Sequence, residues 1–205
     1  MTARHFAVVP AAGHGVRLGG AKLLLPLFGR PLIAHTLVAW QKSKVERTIV
    51  VVRPVDLSLA QVVKELGAEL VIAELPPPDM KASLQFALRH IQANFAPEDT
   101  AAFLVAPADM PQLSTSIIDR LIECHRLHSP GRVLAPTLNG RQGHPVLFPW
   151  RLAAEVYALG NDEGLNVIVE RNQAVLVPCE DLVAKDEYPF ADVDTPEEYQ
   201  RFSGS

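Results

Sequence analysis

The chain has 205 residues, of which 48% are hydrophobic and 20% are charged, so it is long and apolar enough to bury the core of one domain. Its 23 acidic and 19 basic residues give a net charge of −4, which argues against a surface that binds nucleic acid or an anionic membrane, and no apolar run is long enough to span a membrane. The two cysteines, Cys124 and Cys179, and the lack of a secretory pattern lead us to expect reduced thiols and a cytoplasmic protein.

The first predicted element is a short buried strand that leads into a glycine-rich loop. Phe6–Val9 is a continuous apolar run, and Pro10 ends the strand because it has no backbone donor. Backbone amides in such a loop can approach a ligand closely, and cations in the same loop favour a polyphosphate. We therefore expect the loop to bind phosphate; the alternative is a flexible connection whose cations are solvated. The residues concerned are Gly13, Gly15, Arg17, Gly19, Gly20 and Lys22.

Two common phosphate-binding motifs do not fit this loop. In a P-loop a lysine directly follows the second glycine, whereas Ala21 separates Gly20 from Lys22. In a dinucleotide-binding fingerprint a third glycine would stand at the position of Leu18. The loop therefore belongs to another class of nucleotide-binding site.

Short apolar strands alternate with amphipathic helices along the rest of the chain. This alternation is typical of an α/β fold with a doubly wound, Rossmann-like, mostly parallel sheet, whose ligands bind at the carboxyl ends of the strands. We expect a single domain over residues 1–202 and a disordered tail at residues 203–205. The predicted strands are 48–52, 70–73, 102–106, 133–136, 145–148 and 174–178, and the predicted helices begin near residues 32, 58, 80, 114 and 196.

Asp109 follows the buried strand at residues 102–106. A carboxylate in this position is costly unless a cation lies beside it. A hard divalent ion such as Mg²⁺, which binds one or two carboxylates and the phosphates of a substrate, is a suitable partner. Alternatively, Asp109 caps the turn before Pro111.

Four segments near the N-terminus resemble the signature of the MobA-like nucleotidyltransferases: Ala11–Gly13, Arg17–Gly19, Lys22 and Leu25–Leu32. The residues of these segments are most similar to those of the molybdenum cofactor cytidylyltransferases, because guanylyl-transferring relatives usually have glycine at the position of Ala12. The resemblance implies a three-layer α/β/α sandwich of the nucleotide-diphospho-sugar transferase type. The run from Pro10 to Gly13 is also similar to that of the cytidylyltransferases that act on methylerythritol phosphate.

Later segments extend the resemblance along almost the whole chain. Met80–Leu84 is similar to the segment in which a serine lies by the base and ribose, and Ala108–Pro111 resembles the metal-binding turn of the molybdenum cofactor branch. Gly143–Phe148 matches a run that faces the acceptor, and Asp192 stands where a carboxylate or asparagine completes the metal shell. The resemblance, with the loop, implies nucleotide binding by Ala11, Ala12, Gly13, Gly15, Arg17, Lys22 and Ser83, catalysis by Arg17, Lys22 and Asp109, acceptor contacts from Arg141, Gly143 and His144, and a metal at Asp109 and Asp192.

Several of these residues have simpler readings, and some departures lie on the acceptor side. Ser83 can be an early-helix hydroxyl without a ligand, and His144 can be a strand-end histidine bonded to backbone. Asp194 is less favoured than Asp192 as a metal ligand, because the turn before the last helix can use its carboxylate. Gln142 stands where arginine is usual, so Arg141 would supply the acceptor-phosphate contact, and Asn166 also replaces an arginine.

The resemblance implies a Mg²⁺-dependent enzyme that transfers CMP from CTP to the phosphate of molybdopterin and releases pyrophosphate, with a molybdoenzyme as a possible client. The attack on the α-phosphorus needs no protein nucleophile. The role of the residues is therefore to position the substrates and to neutralise the charge of the phosphates. Three alternatives remain: guanylyl transfer to the same cofactor, cytidylyl transfer to 2-C-methyl-erythritol 4-phosphate, and a non-catalytic nucleotide-binding or cofactor-binding module.

Overall fold

The structure of the protein is a computed structural model that describes residues 3–13, 22–185 and 187–204. The strands are β1 (His5–Pro10), β2 (Pro26–Leu27), β3 (Arg30–Pro31), β4 (Arg47–Val52), β5 (Glu69–Ile72), β6 (Ala102–Val105), β7 (Leu134–Leu138), β8 (Arg141–Gln142), β9 (Val146–Pro149) and β10 (Val175–Pro178). The helices are α1 (Leu32–Gln41), α2 (Leu57–Glu65), α3 (Met80–Phe95), α4 (Thr115–Leu127), α5 (Ala153–Ala158), α6 (Leu165–Arg171) and α7 (Pro196–Ser203). Among the described helices, none combines the length and the apolar character that crossing a membrane requires.

A mostly parallel sheet forms the centre of the fold, as the alternation predicted. The strand order is β10-β7-β9-β6-β1-β4-β5, and β8 pairs with β7. The strand β1 lies between β4 and β6 and runs parallel to both, while β9 is antiparallel to β6 and β7. The carboxyl ends of β1, β4 and β6 therefore meet at one edge of the sheet, where ligands bind in folds of this kind.

Helices cover both faces of the sheet, which confirms the three-layer arrangement. Alternate residues of β1 point to opposite faces: Ala7 and Val9 join one hydrophobic cluster, and Phe6 and Val8 join the other. Helices α1, α2 and α4 pack on the first face, and α3, α5 and α6 pack on the second. Because both faces are covered, the central strands are continuous apolar runs and are fully buried.

The last helix, α7, begins with the predicted capping box. The Thr195 hydroxyl accepts from the Glu198 amide, the Glu198 carboxylate accepts from the Thr195 amide, and Pro196 is the first helical residue. The Gly204 amide donates to the carbonyl of Gln200. The helix ends at Ser203, so the domain boundary that we placed after residue 202 falls one residue before its end.

A buried pair of histidines lies at the opposite edge of the sheet, where β1 begins. His5 Nε2 is 3.1 Å from Nδ1 of His125 in α4, and each residue is 3% exposed. Burial lowers the pKa of His5 to about 4, and the nearby His125 and Arg126 add to this lowering. Burial also lowers the pKa of His125. The pair is therefore neutral at pH 7.

This pair makes the stability of the fold depend on pH. The folded-state pKa of His5 lies below its unfolded value, so stability is full above pH ~6.5 and falls as the pH drops toward 4. For His5 alone the loss at pH 5 is about 2 kcal/mol. We expect His5→Gln to reduce the change in the free energy of unfolding between pH 7 and pH 5, measured in urea.

A matched control for this prediction is His128→Gln, because His128 is exposed at the end of α4. It should retain the pH dependence of the unmodified protein. An unchanged slope in His5→Gln would show that the buried pair does not control acid stability.

Candidate active site

A cleft of about 780 Å³ lies at the carboxyl ends of β1, β4 and β6. Its size suits a nucleotide, since ligand sites of small molecules typically have volumes of about 300–1,000 Å³. The walls come from residues 10–13, 22–24, 53–59, 77–83 and 107–109, with Asp194 from the segment before α7. The sheet edge at which we predicted ligand binding therefore carries a cavity.

The start of the glycine-rich loop forms one wall of this cleft. Ala11 and Ala12 are buried, and the Ala11 amide donates to the carbonyl of Val51 in β4, 2.9 Å away. A Cβ atom at Gly13 would meet nothing within 4 Å, so Gly13 faces open space. Two predicted ligands of the nucleotide, Gly15 and Arg17, lie outside the described residues.

Lys22 connects two carboxylates that are distant in sequence. Its Nζ donates to Oδ2 of Asp109 and, at 2.8 Å, to Oδ1 of Asp194. The side chains of Lys22 and Asp109 are only 12% and 14% exposed. Burial acts to lower the pKa of Lys22, but the hydrogen bonds to both carboxylates outweigh it and raise the pKa above the ordinary value. Lys22 is therefore a charged ammonium held between two carboxylates.

The carboxylate of Asp109 is only partly satisfied by this ammonium. Its Oδ1 is buried and accepts no hydrogen bond from the described part of the chain. Burial raises the pKa of Asp109, and the charge of Lys22 opposes the rise. A buried carboxylate oxygen without a donor is costly, and it is the kind of hard oxygen ligand that a divalent ion prefers.

The turn that carries Asp109 is fixed from two sides. The hydroxyl of Thr36 in α1, which is fully buried, lies 3.0 Å from the carbonyl oxygens of both Ala108 and Met110. On the other side, the Val193 amide donates to the carbonyl of Asp109 at 3.1 Å. The position of the carboxylate is thus set by the helix that follows the loop and by the segment that precedes α7.

The two candidate carboxylates near the C-terminus differ in their contacts. Asp192 is exposed, and its charge acts on both Asp109 and His144. Asp194 reaches Lys22 with its side chain, while Glu198 accepts from its backbone amide. The turn therefore uses the amide of Asp194 and leaves its carboxylate at the site, contrary to the reasoning that favoured Asp192.

The described residues alone do not form a complete metal shell. Across residues 3–13, 22–185 and 187–204, no group of three or more His, Cys, Asp or Glu side chains is placed to hold a metal ion. One or two carboxylates with substrate phosphates is, however, the usual arrangement for Mg²⁺. Asp109 with either later carboxylate fits that arrangement once a triphosphate is bound.

Ser83 lies in the wall of the cleft, in the first turns of α3. It is buried, and its hydroxyl donates to the carbonyl of Asp79 at 3.3 Å. The side chain of Asp79 caps the helix by accepting from the Ala82 amide at 2.7 Å. Ser83 is thus an early-helix hydroxyl that also lines the cleft, and its contact with the nucleotide stays a prediction.

A second cavity of about 550 Å³ adjoins the first on the acceptor side. The two cavities share Asp79, Met80 and Pro107. Polar groups at the second cavity include His144, Gln142 and Glu163. The apolar part of its lining includes Val105, Val146, Phe148, Leu165 and Val169.

The three predicted acceptor-side residues have different positions. His144 lines the second cavity, burial lowers its pKa, and its Nδ1 is buried with no partner among the described residues. Gln142 also lines this cavity, whereas Arg141 is exposed and is not among the lining residues. The acceptor contact of Arg141 stays a prediction.

Gly143 has a packing role that its motif did not reveal. A Cβ atom there would lie 2.1 Å from Cγ of Phe190, and the Gly143 amide donates to the carbonyl of Pro136 at 2.9 Å. The ring of Phe190 can approach the strand only because this residue has no side chain. Gly143 therefore positions the segment that leads to Asp192 and Asp194.

Two functional candidates were not identified from the sequence. Arg53 lies in the cleft at the carboxyl end of β4 and forms a bidentate pair with Asp56, at 2.7 and 2.9 Å. Lys81 lies at the second cavity and donates to the carbonyls of Gly160 and Asn161, which fixes the turn before α6. A charge directly after a buried strand was the available signal for Arg53.

The sequence of the chain is similar to a known protein family and to known enzymes. The model of the MobA-like NTP transferase domain matches residues 7–175. The 2-C-methyl-D-erythritol 4-phosphate cytidylyltransferase of Azoarcus sp. (strain BH72) is 35% identical over 149 residues, which are 69% of this chain and 62% of that enzyme. The chain therefore spans less than two thirds of the length of this curated relative.

Two solved structures have the same fold. Molybdopterin-guanine dinucleotide biosynthesis protein A from Archaeoglobus fulgidus has a TM-score of 0.72 and 22% identity, with 97% of each chain covered. Rv0371c from Mycobacterium tuberculosis, in a complex with manganese, has a TM-score of 0.74 and 21% identity, with 100% of each chain covered. At these identities the likeness concerns the fold.

The packing at Gly143 predicts a stability effect. Gly143→Ala places a Cβ inside the ring of Phe190, and overpacking of this kind typically costs about 1–3 kcal/mol. We expect this loss in the free energy of unfolding measured in urea. Combining it with Phe190→Ala should remove most of the added cost, because the clashing ring is gone. Additive losses in the double variant would contradict the contact.

Proposed function

Because the chain belongs to the MobA-like NTP transferase family, we propose that it is a nucleotidyltransferase that binds a nucleoside triphosphate in the cleft at the carboxyl ends of β1, β4 and β6. The observation that carries the proposal is the meeting of Lys22 and Asp109 beside Ala11–Gly13 at this sheet edge. A triphosphate site requires a cation, a carboxylate that can bind a metal ion, and a loop that can approach the phosphates.

The proposed reaction is an in-line displacement at the α-phosphorus. A phosphate oxygen of the acceptor forms a bond to the α-phosphorus, the bond from the α-phosphorus to the bridging oxygen breaks, and pyrophosphate leaves with that oxygen. A divalent ion such as Mg²⁺, when bound, neutralises charge on the phosphates. Lys22 would stabilise charge that develops during transfer, Asp109 would hold the ion, and Arg17, outside the described residues, would supply a second cation.

Arg53 is a further cation of the nucleotide cleft. Its guanidinium is paired with Asp56, and this pairing raises its pKa, so it is charged at any pH of interest. It lies at the carboxyl end of β4, next to the end of β1. We propose that the Arg53–Asp56 pair and Ser83 are parts of the wall that receives the nucleotide.

CTP is the favoured nucleotide. Ala12 stands where guanylyl-transferring relatives usually have glycine, and it is buried in the wall of the cleft. The matched relative from Azoarcus is a cytidylyltransferase, which supports the same nucleotide. A buried methyl group at this position reduces the space for a base and so favours the smaller pyrimidine.

Molybdopterin is the favoured acceptor, on two grounds. The Ala108–Pro111 turn and the Gly143–Phe148 run resemble the molybdenum cofactor branch of the family. In addition, the second cavity is about 550 Å³ and has Phe148, Val146 and Val169 in its lining, which suits a large ring system better than a small polyol phosphate. His144 and Gln142 would then contact the acceptor.

Cytidylyl transfer to 2-C-methyl-D-erythritol 4-phosphate is the second candidate, and the identity to the Azoarcus enzyme is the observation in its favour. Pyrophosphate release from CTP and Mg²⁺, measured with each acceptor in turn, separates the two. Release only with molybdopterin supports the first proposal, and release only with the polyol phosphate supports the second. Release with neither, despite CTP binding, would favour a non-catalytic module.

The metal role of Asp109 gives a prediction for turnover. We expect Asp109→Asn to lower kcat by about 10²-fold or more, because the charge that holds the ion is removed from a preorganised site. Pyrophosphate release and circular dichroism should be measured together. Asp99→Asn, at an exposed residue before β6, is the control and should leave both unchanged. Near-normal turnover in Asp109→Asn would rule out this role.

The role of Ala12 gives a prediction for nucleotide choice. We expect Ala12→Gly to reduce the ratio of kcat/KM for CTP over GTP, because removing the methyl group enlarges the base site. Ala11→Gly, at an equally buried neighbour, is the control and should keep the ratio. If the ratio is the same in Ala12→Gly as in the unmodified protein, Ala12 does not select the base.

A further inference from the structure

We infer that Lys22 is an internal placeholder for the catalytic cation: its ammonium occupies the position between Asp109 and Asp194, and it must leave before a divalent ion binds there. The inference rests on the proposed triphosphate site. Its basis is geometric, because one nitrogen contacts carboxylates that are 87 and 172 residues away in sequence. Lys22, Asp109 and Asp194 all line the cleft at the carboxyl ends of the strands.

The carboxylate pair suits a divalent ion better than it suits an ammonium. Lys22 bonds Oδ2 of Asp109 and Oδ1 of Asp194, and Oδ1 of Asp109 is buried with no hydrogen bond from a residue within 3–13, 22–185 or 187–204. Carboxylate oxygens are the ligands that Mg²⁺ prefers, at about 2.0–2.1 Å. The ammonium therefore neutralises the carboxylates but makes no hydrogen bond to Oδ1 of Asp109.

The ammonium and a divalent ion exclude each other at this position. An ion bound to Oδ2 of Asp109 and Oδ1 of Asp194 would share both oxygens with Nζ of Lys22, and the repulsion between two cations at such a distance in a partly buried site is large. Among the described residues, Asp109 and Asp194 are the hydrogen-bond partners that the structure shows for Lys22. The metal should therefore bind weakly to the protein alone.

A triphosphate provides the missing partner for Lys22. The lysine lines the same cleft as Ala11–Gly13, which we propose to bind the phosphates. When the ammonium moves to the phosphates, it no longer competes with the ion for the two carboxylates. Nucleotide and metal then favour each other through the lysine, in addition to their direct contact. The residue that neutralises the two carboxylates thus becomes the residue that acts on the phosphates.

The inference is tested with Mn²⁺ alone, without nucleotide, by calorimetry and by electron paramagnetic resonance of the free ion. We expect Lys22→Met to bind Mn²⁺ about tenfold more tightly than the unmodified protein, because the competing ammonium is gone. Lys22→Arg keeps the charge and should bind as weakly as the unmodified protein. Lys64→Met removes an exposed lysine of α2 that lines neither cavity, and it should leave the Mn²⁺ affinity unchanged.

Two double variants identify the second carboxylate. In the Lys22→Met background, Asp194→Asn should remove the gain in Mn²⁺ affinity, whereas Asp192→Asn should retain most of it. Thermal unfolding provides an independent measurement: Mn²⁺ should raise the Tm of Lys22→Met by several degrees and that of the unmodified protein much less. The thermal measurement also shows whether each variant is folded.

Equal Mn²⁺ affinity in Lys22→Met and the unmodified protein would overturn the inference, and so would a gain that Asp192→Asn removes and Asp194→Asn does not. Because the test uses the metal alone, its failure is distinct from a failure of the proposed function, which would appear as a lack of pyrophosphate release with CTP and both acceptors.

Discussion

The contact of Lys22 with Asp109 and Asp194 is the interaction on which the rest of the site depends. A carboxylate at the end of a buried strand loses its hydration, and only a nearby cation makes that position tolerable. The structure places the cation on the loop after β1 and the second carboxylate on the segment before α7. Three distant parts of the chain are therefore joined at the carboxyl edge of the sheet.

This contact also explains why the segment before α7 lies against the site. Val193 donates to the carbonyl of Asp109, Phe190 packs on Gly143, and Glu198 organises the backbone around Asp194. None of these contacts by itself requires a ligand. Together they place a second carboxylate, that of Asp194, at the cleft.

The two cavities adjoin at the place where the proposed transfer would occur. Asp79, Met80 and Pro107 line both, so a nucleotide in one and an acceptor in the other would meet near the end of β6. Asp109, two residues after Pro107, lines the first cavity. In the proposed function, acceptor, metal ligand and nucleotide would meet near a single strand end, which is a common arrangement in open α/β sheets.

The sequence predicted the periodic part of the fold well and the long-range part of the site poorly. Runs such as Phe6–Val9 and Thr48–Val52 must be buried strands, and Thr195 with Glu198 is a local signal, so these predictions were confirmed. The antiparallel direction of β9 and the short hairpin of β2 and β3 depend on tertiary pairing that no local pattern encodes. The MobA-like resemblance was confirmed by the match over residues 7–175.

Predictions for individual residues were likewise better where the signal was local than where it depended on long-range contacts. The loop and Asp109 were found because their residue types are unusual next to buried strands. Arg141 was expected at the acceptor but does not line the second cavity, and Asp194 was ranked below Asp192 although its side chain reaches Lys22. The side to which a residue points and the partner it meets across more than a hundred residues are fixed by packing, which a single sequence does not display.

A crystal structure of the protein with CTP and Mn²⁺ would test the central claim most directly. The account predicts the triphosphate beside Ala11–Gly13, Nζ of Lys22 on a phosphate oxygen, and the metal on Asp109 and Asp194. A triphosphate bound outside this cleft would contradict the assignment of the site. A metal bound while Lys22 still contacts both carboxylates would contradict the placeholder role.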